Sequence, residues 1–367
     1  LYHVAELLGN PHDVRDLERS LHGDLEALRV RSAKLKVTYR CNLRCTMCSY
    51  PRMRPDSELS TEQWFSVLRG LHGEGCRKVH FSGGEALLRD DIVRLLSFAS
   101  QLGMKVNMTT NGTLIDKKRA RDLVRAKLNS ISFSLDGPFR SLHERIRGVK
   151  GSFRKILNGV RYIRQAIEKY GASTKIRINV VLMRCNYESL PDLIDLAADL
   201  GATEVHPMPV DEKGKGRNRL RKKDIVDFNA RIVPEVERRR RKHGFSLRDS
   251  LVYPFGRTKE EINYAKEGEY ARGFFDEALC YVPWLHTFVT WNGSVYLCCM
   301  MRGRIEPLGN AGNEAIGEIF RGKAYREVRR TMKIERPAPC RRCDDFLDEN
   351  RDLNRGLFRS GSPCVGH

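Results

Sequence analysis

No stretch of this 367-residue chain approaches the roughly 20 consecutive apolar residues that a bilayer-spanning helix requires. No secretory signal stands at its start, and no internal repeat is evident. Aromatic residues are scarce, at 8%, and none interleaves with the basic runs Lys213 to Lys223 and Arg238 to Lys242. A base-stacking platform for nucleic acid therefore finds no support. Acidic residues are in deficit: 46 Asp and Glu face 66 Lys and Arg, a formal net charge of +20. Such a field favours anionic partners, although Arg238–Lys242 also reads as the solvated, dipole-complementing end of a helix. Eleven cysteines without a secretory signal argue against a disulfide scaffold. They argue for thiolate ligands in a reducing compartment, so the expected location is cytoplasmic.

What is present begins with three cysteines, Cys41, Cys45 and Cys48, spaced C-x3-C-x2-C directly after the strand-like run Leu35–Tyr39. So short a loop brings three thiols onto one small face. Taken alone, the triplet fits an iron–sulfur cluster, part of a zinc site lacking its fourth ligand, or small core residues. A cubane cluster usually takes four cysteines, so three would leave one iron open to a ligand.

From Leu35 the pattern alternates. Strands are predicted at Leu35–Tyr39, Lys78–Ser82, Lys105–Thr109, Ser130–Leu135, Lys175–Leu182 and Thr203–Pro207. Between them the apolar periodicity predicts helices at Thr61–Leu71, Ile92–Leu102, Lys117–Ala126, Phe153–Tyr170 and Leu190–Leu200. Ser60 and Gln63 form a capping box for the first of these. Regular β–α alternation implies a parallel sheet with right-handed crossovers, and chemistry gathers at the C-terminal ends of its strands. Residues 1–34 read as helix, with Lys223 to His243 as a later one.

Three further motifs end successive strands, Ser82-Gly83-Gly84-Glu85, Thr109-Thr110-Asn111-Gly112-Thr113 and Ser134-Leu135-Asp136-Gly137-Pro138, and Asn179 lies on the fifth strand. Paired glycines let a backbone approach a ligand closely. With the cysteine triplet one β–α unit upstream, the chain resembles the radical SAM enzymes. The resemblance implies a partial (β/α)6 barrel of α/β class and a [4Fe-4S] cluster on Cys41, Cys45 and Cys48. Its open iron would chelate S-adenosylmethionine and cleave it to a 5′-deoxyadenosyl radical. Gly83, Gly84 and Glu85 would hold the cofactor's amino group, and Ser134 and Arg147 its carboxylate. Asn111 and Asp136 would face the reacting centre, Asn179 the ribose, and Met47 would replace the family's usual aromatic beside the adenine. Each polar residue also has a plainer reading as a turn or cap.

The later cysteines follow the order Cys280, then Gly293-x4-Cys298, then Cys340-x2-Cys343. Four cysteines ending in C-x2-C suit zinc. They also resemble the SPASM/Twitch extensions of the same enzymes, which implies one auxiliary [4Fe-4S] cluster ligated by Cys280, Cys298, Cys340 and Cys343. Cys299 could stand in for Cys298. Cys76 and Cys185 read as core, and Cys364 has no assigned role.

The expected organisation is a helical segment at 1–34, a barrel at 35–210, a helical linker at 211–269, a small cluster-binding module at 270–345 and a tail at 346–367. The expected activity is hydrogen abstraction from an unactivated C–H of a small polar or phosphorylated substrate, then oxidation through the auxiliary cluster. Residues 1–34 are too short for a leader-recognition domain, which tilts the expectation toward such a small substrate. Asp211, Glu212, His206, Trp284 and Arg302 are candidate pocket residues. The expected reductant is a flavodoxin- or ferredoxin-type protein. The alternatives are a peptide maturase that crosslinks or epimerises and, from another class, a zinc-bearing nucleic-acid-binding protein.

Overall fold

A computed structural model describes residues 3–53, 57–212 and 216–359. Its centre is one eight-stranded sheet in the order β6-β5-β4-β3-β2-β1-β7-β8. The strands are β1 (Ser32–Thr38), β2 (Lys78–Gly83), β3 (Lys105–Thr110), β4 (Ser130–Ser134), β5 (Lys175–Leu182), β6 (Glu204–Pro209), β7 (His286–Val289) and β8 (Val295–Tyr296). Neighbours β6 through β7 pair in parallel, and β8 returns antiparallel on β7. The two ends do not meet, so the sheet is an open barrel with β6 and β8 at its edges.

The helices are α1 (Val4–Leu8), α2 (Pro11–Leu21), α3 (Thr61–Gly73), α4 (Ile92–Gln101), α5 (Lys117–Arg125), α6 (Arg140–Arg147), α7 (Ser152–Tyr170) and α8 (Leu190–Asp199), followed by further helices in the C-terminal part. The capping box at Ser60 and Gln63 forms as expected, and Trp64, Val67, Leu68 and Leu71 bury the face of α3 at helical spacing. Asp116 caps α5 by accepting from the Arg119 amide at 2.7 Å.

Alternation along each strand decides what faces what. Leu35, Val37, Val79, Phe81, Val106, Met108, Ile131 and Phe133 are buried against the helices. The other face carries Lys34, Lys36, His80, Ser82, Asn107, Thr109, Ser134, Arg177, Asn179 and His206. A parallel sheet covered on both sides is normally apolar on both. Here the concave face is polar, as an interior built to receive a polar ligand would be.

Two expectations change. The N-terminal region is not one helix to residue 34: α2 ends at Leu21, and β1 begins three residues before the predicted strand. Gly23, at φ 98°, takes the chain out of helical conformation. The helix predicted from Lys223 holds a π-helical turn at Phe228–Ile232. Pro234 follows directly and has no amide to donate to the regular ladder.

The C-terminal part does not sit apart from the barrel. Its β7 extends the sheet beyond β1, and Asp345 reaches back to Lys34 at 2.9 Å. Phe346 packs edge-on against His286, at 4.9 Å between ring centres. Asn350, fully buried in the last helix, accepts from the Tyr281 amide at 2.7 Å.

Candidate functional site

The cysteine loop leaves the C-terminal end of β1 and is held from three sides. From β2, the Gly84 amide donates to the Thr38 carbonyl at 2.8 Å and the Glu85 amide to the Arg40 carbonyl at 2.7 Å. From α6, the carbonyls of Arg147 and Ile146 accept from the Arg44 and Thr46 amides at 3.1 and 2.9 Å. From the end of β3, Asn111 Nδ2 donates to Asn42 Oδ1 at 2.8 Å, and Asn42 Nδ2 to Thr113 Oγ1 at 2.9 Å. Asn42 is a functional residue that the sequence did not mark; only its place inside the motif pointed to it.

The glycine pair also has a reason that the sequence did not reveal. A Cβ on Gly83 would lie 2.4 Å from the Thr38 carbonyl oxygen, and one on Gly84 2.2 Å from that of Arg40. The close approach is to the cysteine loop's own backbone, which cannot yield as a flexible side chain would. Glu85 is likewise a clamp. Its Oε1 accepts from the Leu87 amide at 3.0 Å and Thr110 Oγ1 at 2.7 Å, and its Oε2 from the Asn111 amide at 2.6 Å. Burial pushes its carboxyl up in pKa, and these three hydrogen bonds oppose the shift.

Asp136 and Arg147 meet each other. Arg147 Nε lies 2.8 Å from Asp136 Oδ2, both buried, and Arg147 Nη1 donates to Cys45 Sγ at 3.7 Å. Asp136 Oδ1 accepts from the Val181 amide at 2.9 Å. Asp136 thus orients Arg147, and Asn111 braces the loop. Ser134 and Asn179 are register partners on β4 and β5, half-buried on the concave face, and their side chains make no hydrogen bond among the described residues. They stay available to a ligand. Met47 packs with Ile146, Met183 and Val210.

The three thiols of the loop lie within electrostatic reach of one another, and burial pushes Cys41 up to about 11. In the second group, Cys280, Cys298, Cys340 and Cys343 are all buried and near enough to act on one another's ionisation. Soft donors, dry surroundings and, at Cys45, an adjacent guanidinium fit both groups for thiolate-bound metal. Among the described residues no three His, Cys, Asp or Glu side chains close around a single ion. Cys299 points elsewhere: its Sγ donates to Asp345 Oδ2 at 2.8 Å.

Of the other candidates, Asp211 pairs with Arg304 and Arg342 at 3.0 and 2.8 Å, and Glu212 accepts from the Asn218 and Arg219 amides. Trp284 is core. Each serves local structure. His206 lines a cavity of about 680 Å³ with Arg177, Tyr270 and Asp344, and Arg302 lies over Tyr50 and Trp291. Cys76 is buried, but Cys185 is exposed, since it falls in the turn after β5 rather than in the strand. Cys364 lies outside the described residues, as do Lys213, Gly214 and Lys215. The Arg238–Lys242 run is largely engaged: Arg239 with Asp192 and Asp195, and fully buried Arg240 with Glu204. Among the described residues, no helix is long and apolar enough to cross a membrane.

Comparison with known proteins adds three observations. A family model described as the radical SAM superfamily matches residues 35–205, and one described as an iron–sulfur cluster-binding domain, SPASM, matches 280–344. The PqqA peptide cyclase of Bradyrhizobium diazoefficiens is 33% identical over 56% of this chain and 54% of its own. A probable GTP 3′,8-cyclase of Methanopyrus kandleri is 32% identical over 58% of this chain and 68% of its own. The chain spans about half the length of the first curated relatives it matches. The crystal structure of Streptococcus suis SuiB bound to precursor peptide SuiA superposes with a TM-score of 0.65 at 18% identity, covering 91% of this chain and 76% of that one.

Proposed function

Because the chain belongs to the radical SAM superfamily and carries an iron–sulfur cluster-binding SPASM extension, we propose that it modifies a peptide. The observation that carries this reading is the run of relatives named PqqA peptide cyclase, reaching 33–35% identity. A fold shared with a protein crystallised with its precursor peptide supports it. A peptide therefore displaces the small polar substrate expected from the sequence.

The superfamily binds a [4Fe-4S] cluster and S-adenosylmethionine, which when bound supply a radical able to take a hydrogen atom from an unactivated C–H. In this chain Cys41, Cys45 and Cys48 are the ligands we assign to that cluster. Gly83 and Gly84 let the loop sit against β2, Glu85 and Asn111 hold that contact, and Asp136 aims Arg147 at Cys45. Ser134 and Asn179 are left for polar groups of the cofactor. The concave face orients the peptide and excludes water, so that only one C–H meets the radical. Cys280, Cys298, Cys340 and Cys343 would hold one auxiliary [4Fe-4S] cluster. With four protein ligands it leaves no open iron, a set suited to electron transfer rather than substrate binding. The positive surface suits an acidic flavodoxin- or ferredoxin-type reductant.

The test is anaerobic turnover of the reconstituted enzyme with short peptides encoded beside its gene, read by mass spectrometry. Loss of two hydrogens from a peptide, matched by 5′-deoxyadenosine, supports a crosslinking or oxidising maturase. Deuterium uptake from solvent without other mass change supports epimerisation. Unchanged peptides, with turnover of a polyol or sugar phosphate instead, would return the small-molecule reading.

A further inference from the structure

Two cations near the cysteine sites make no salt bridge among the described residues. Lys34 and Lys36 project from the same face of β1, but Asp345 neutralises only Lys34. Lys36 makes no salt bridge among the described residues; its ammonium lies 5.8 Å from the centre of the Tyr50 ring. Arg302 is similarly placed. Its guanidinium carbon stands 5.0 Å from the Tyr50 ring and 5.5 Å from the Trp291 ring, and Nη1 lies 3.9 Å from Met53 Sδ. Arg304, two residues on, has Asp211.

The aromatic groups in contact with these cations are themselves unsatisfied. Tyr50 Oη and Trp291 Nε1 are buried without a hydrogen-bond partner among the described residues, and their rings pack edge-on at 5.7 Å. Leaving such a donor unpaired costs about 1–3 kcal/mol. Burying a charge without a counter-charge costs more. Tyr50 is two residues past Cys48, and Arg302 four past Cys298. The contacts of Arg302 with Tyr50 and Trp291 thus join the segment that follows the first cysteine group to the segment around the second.

We propose that Lys36, Arg302, Tyr50 and Trp291 form a subsite that grips a carboxylate of the substrate. A carboxylate offers two oxygens with about four acceptor positions. That matches a guanidinium, an ammonium, a phenol and an indole donor around one group, and guanidinium recognises carboxylate bidentately. Burial, with Lys34 and Arg302 nearby, lowers the Lys36 amine to about 8; a bound carboxylate would restore its charge. The inference rests on the peptide reading for the carboxylate's source, which is either an acidic side chain or the peptide's C-terminus.

The experiment uses the reconstituted holoenzyme with S-adenosylmethionine present and three calorimetric probes. N-acetyl-aspartate α-amide carries a side-chain carboxylate, N-acetyl-asparagine a C-terminal one, and N-acetyl-asparagine amide none. The expected result is that at least one acid binds tenfold or more tighter than the neutral probe, and the tighter acid identifies the source. Lys36→Met and Arg302→Gln should each lose that margin while retaining the iron content of wild type, and Lys36→Arg should recover part of it. Equal binding of acid and neutral probes by wild type, failure of both acids to bind, or full acid affinity in both charge-removing variants would overturn the proposal. If the acids bind as expected but no peptide is turned over, the subsite stands and the peptide reading falls.

Discussion

Lys36 carries a pH dependence whose sign follows from its surroundings. Its amine lies lowered to about 8 because burial disfavours the charged form, and Lys34 and Arg302 add repulsion that Cys299 and Asp345 only partly offset. Below that value it is an ammonium and attracts a carboxylate; above it, it is neutral. Affinity for the acid probes should therefore fall as pH rises through about 8, by up to about tenfold per unit, while Lys36→Arg should flatten the profile. A second prediction concerns Asp136. Substituting Asn leaves Arg147 as an uncompensated buried charge, which typically costs about 3–5 kcal/mol. Thermal unfolding of D136N should show this loss, and D136N combined with R147M should recover much of it. The sequence marked both residues but assigned them to the cofactor. A motif shows which side chains gather at the strand ends, whereas their pairing depends on how α6 folds back over the cysteine loop, and no local spacing records that.

The elements around that loop were legible because their signals are local. The capping box of α3 and the alternation of β2 to β5 are written in neighbouring residues. The reason for Gly83 and Gly84 was not, since it lies in the backbone of residues 38–40, reached only when β1 and β2 pair. Gly84→Ala should fail at this step. Its Cβ would meet the Arg40 carbonyl oxygen at 2.2 Å, and neither backbone can retreat without breaking the hydrogen bonds beside it. Iron analysis after anaerobic reconstitution should show the first cluster lost and the second kept. Removing the Asn42 amide with Asn42→Ala should be milder, about 1–3 kcal/mol of loop stability, read as faster iron loss to a chelator. Among the candidate pocket residues, Asp211 pairs with distant Arg304 and Arg342 and Glu212 accepts from the Asn218 and Arg219 amides, and a carboxylate looks the same in sequence whether it awaits a ligand or is engaged in this way.

The molecule as a whole has two cysteine sites on one framework. Wild-type protein should hold about eight irons, and the triple variant Cys41/Cys45/Cys48→Ala about four; an unchanged count would remove the first site from its assignment. The alternation of strands and helices made the parallel α/β core legible. The attachment of the C-terminal part was not, since β7 and β8 are only four and two residues long and carry too little pattern to announce which strand they join. That attachment decides whether the protein can be divided. Because β7 covers the flank of β1, a chain cut before His286 would leave a row of unpaired amides and carbonyls along the very strand that leads into the cysteine loop. Exposed flanks of this kind recruit other chains. A gene trimmed to its first 285 codons should thus yield inclusion bodies rather than a minimal cofactor-cleaving enzyme, and two functions that look modular along the chain are inherited, expressed and lost together.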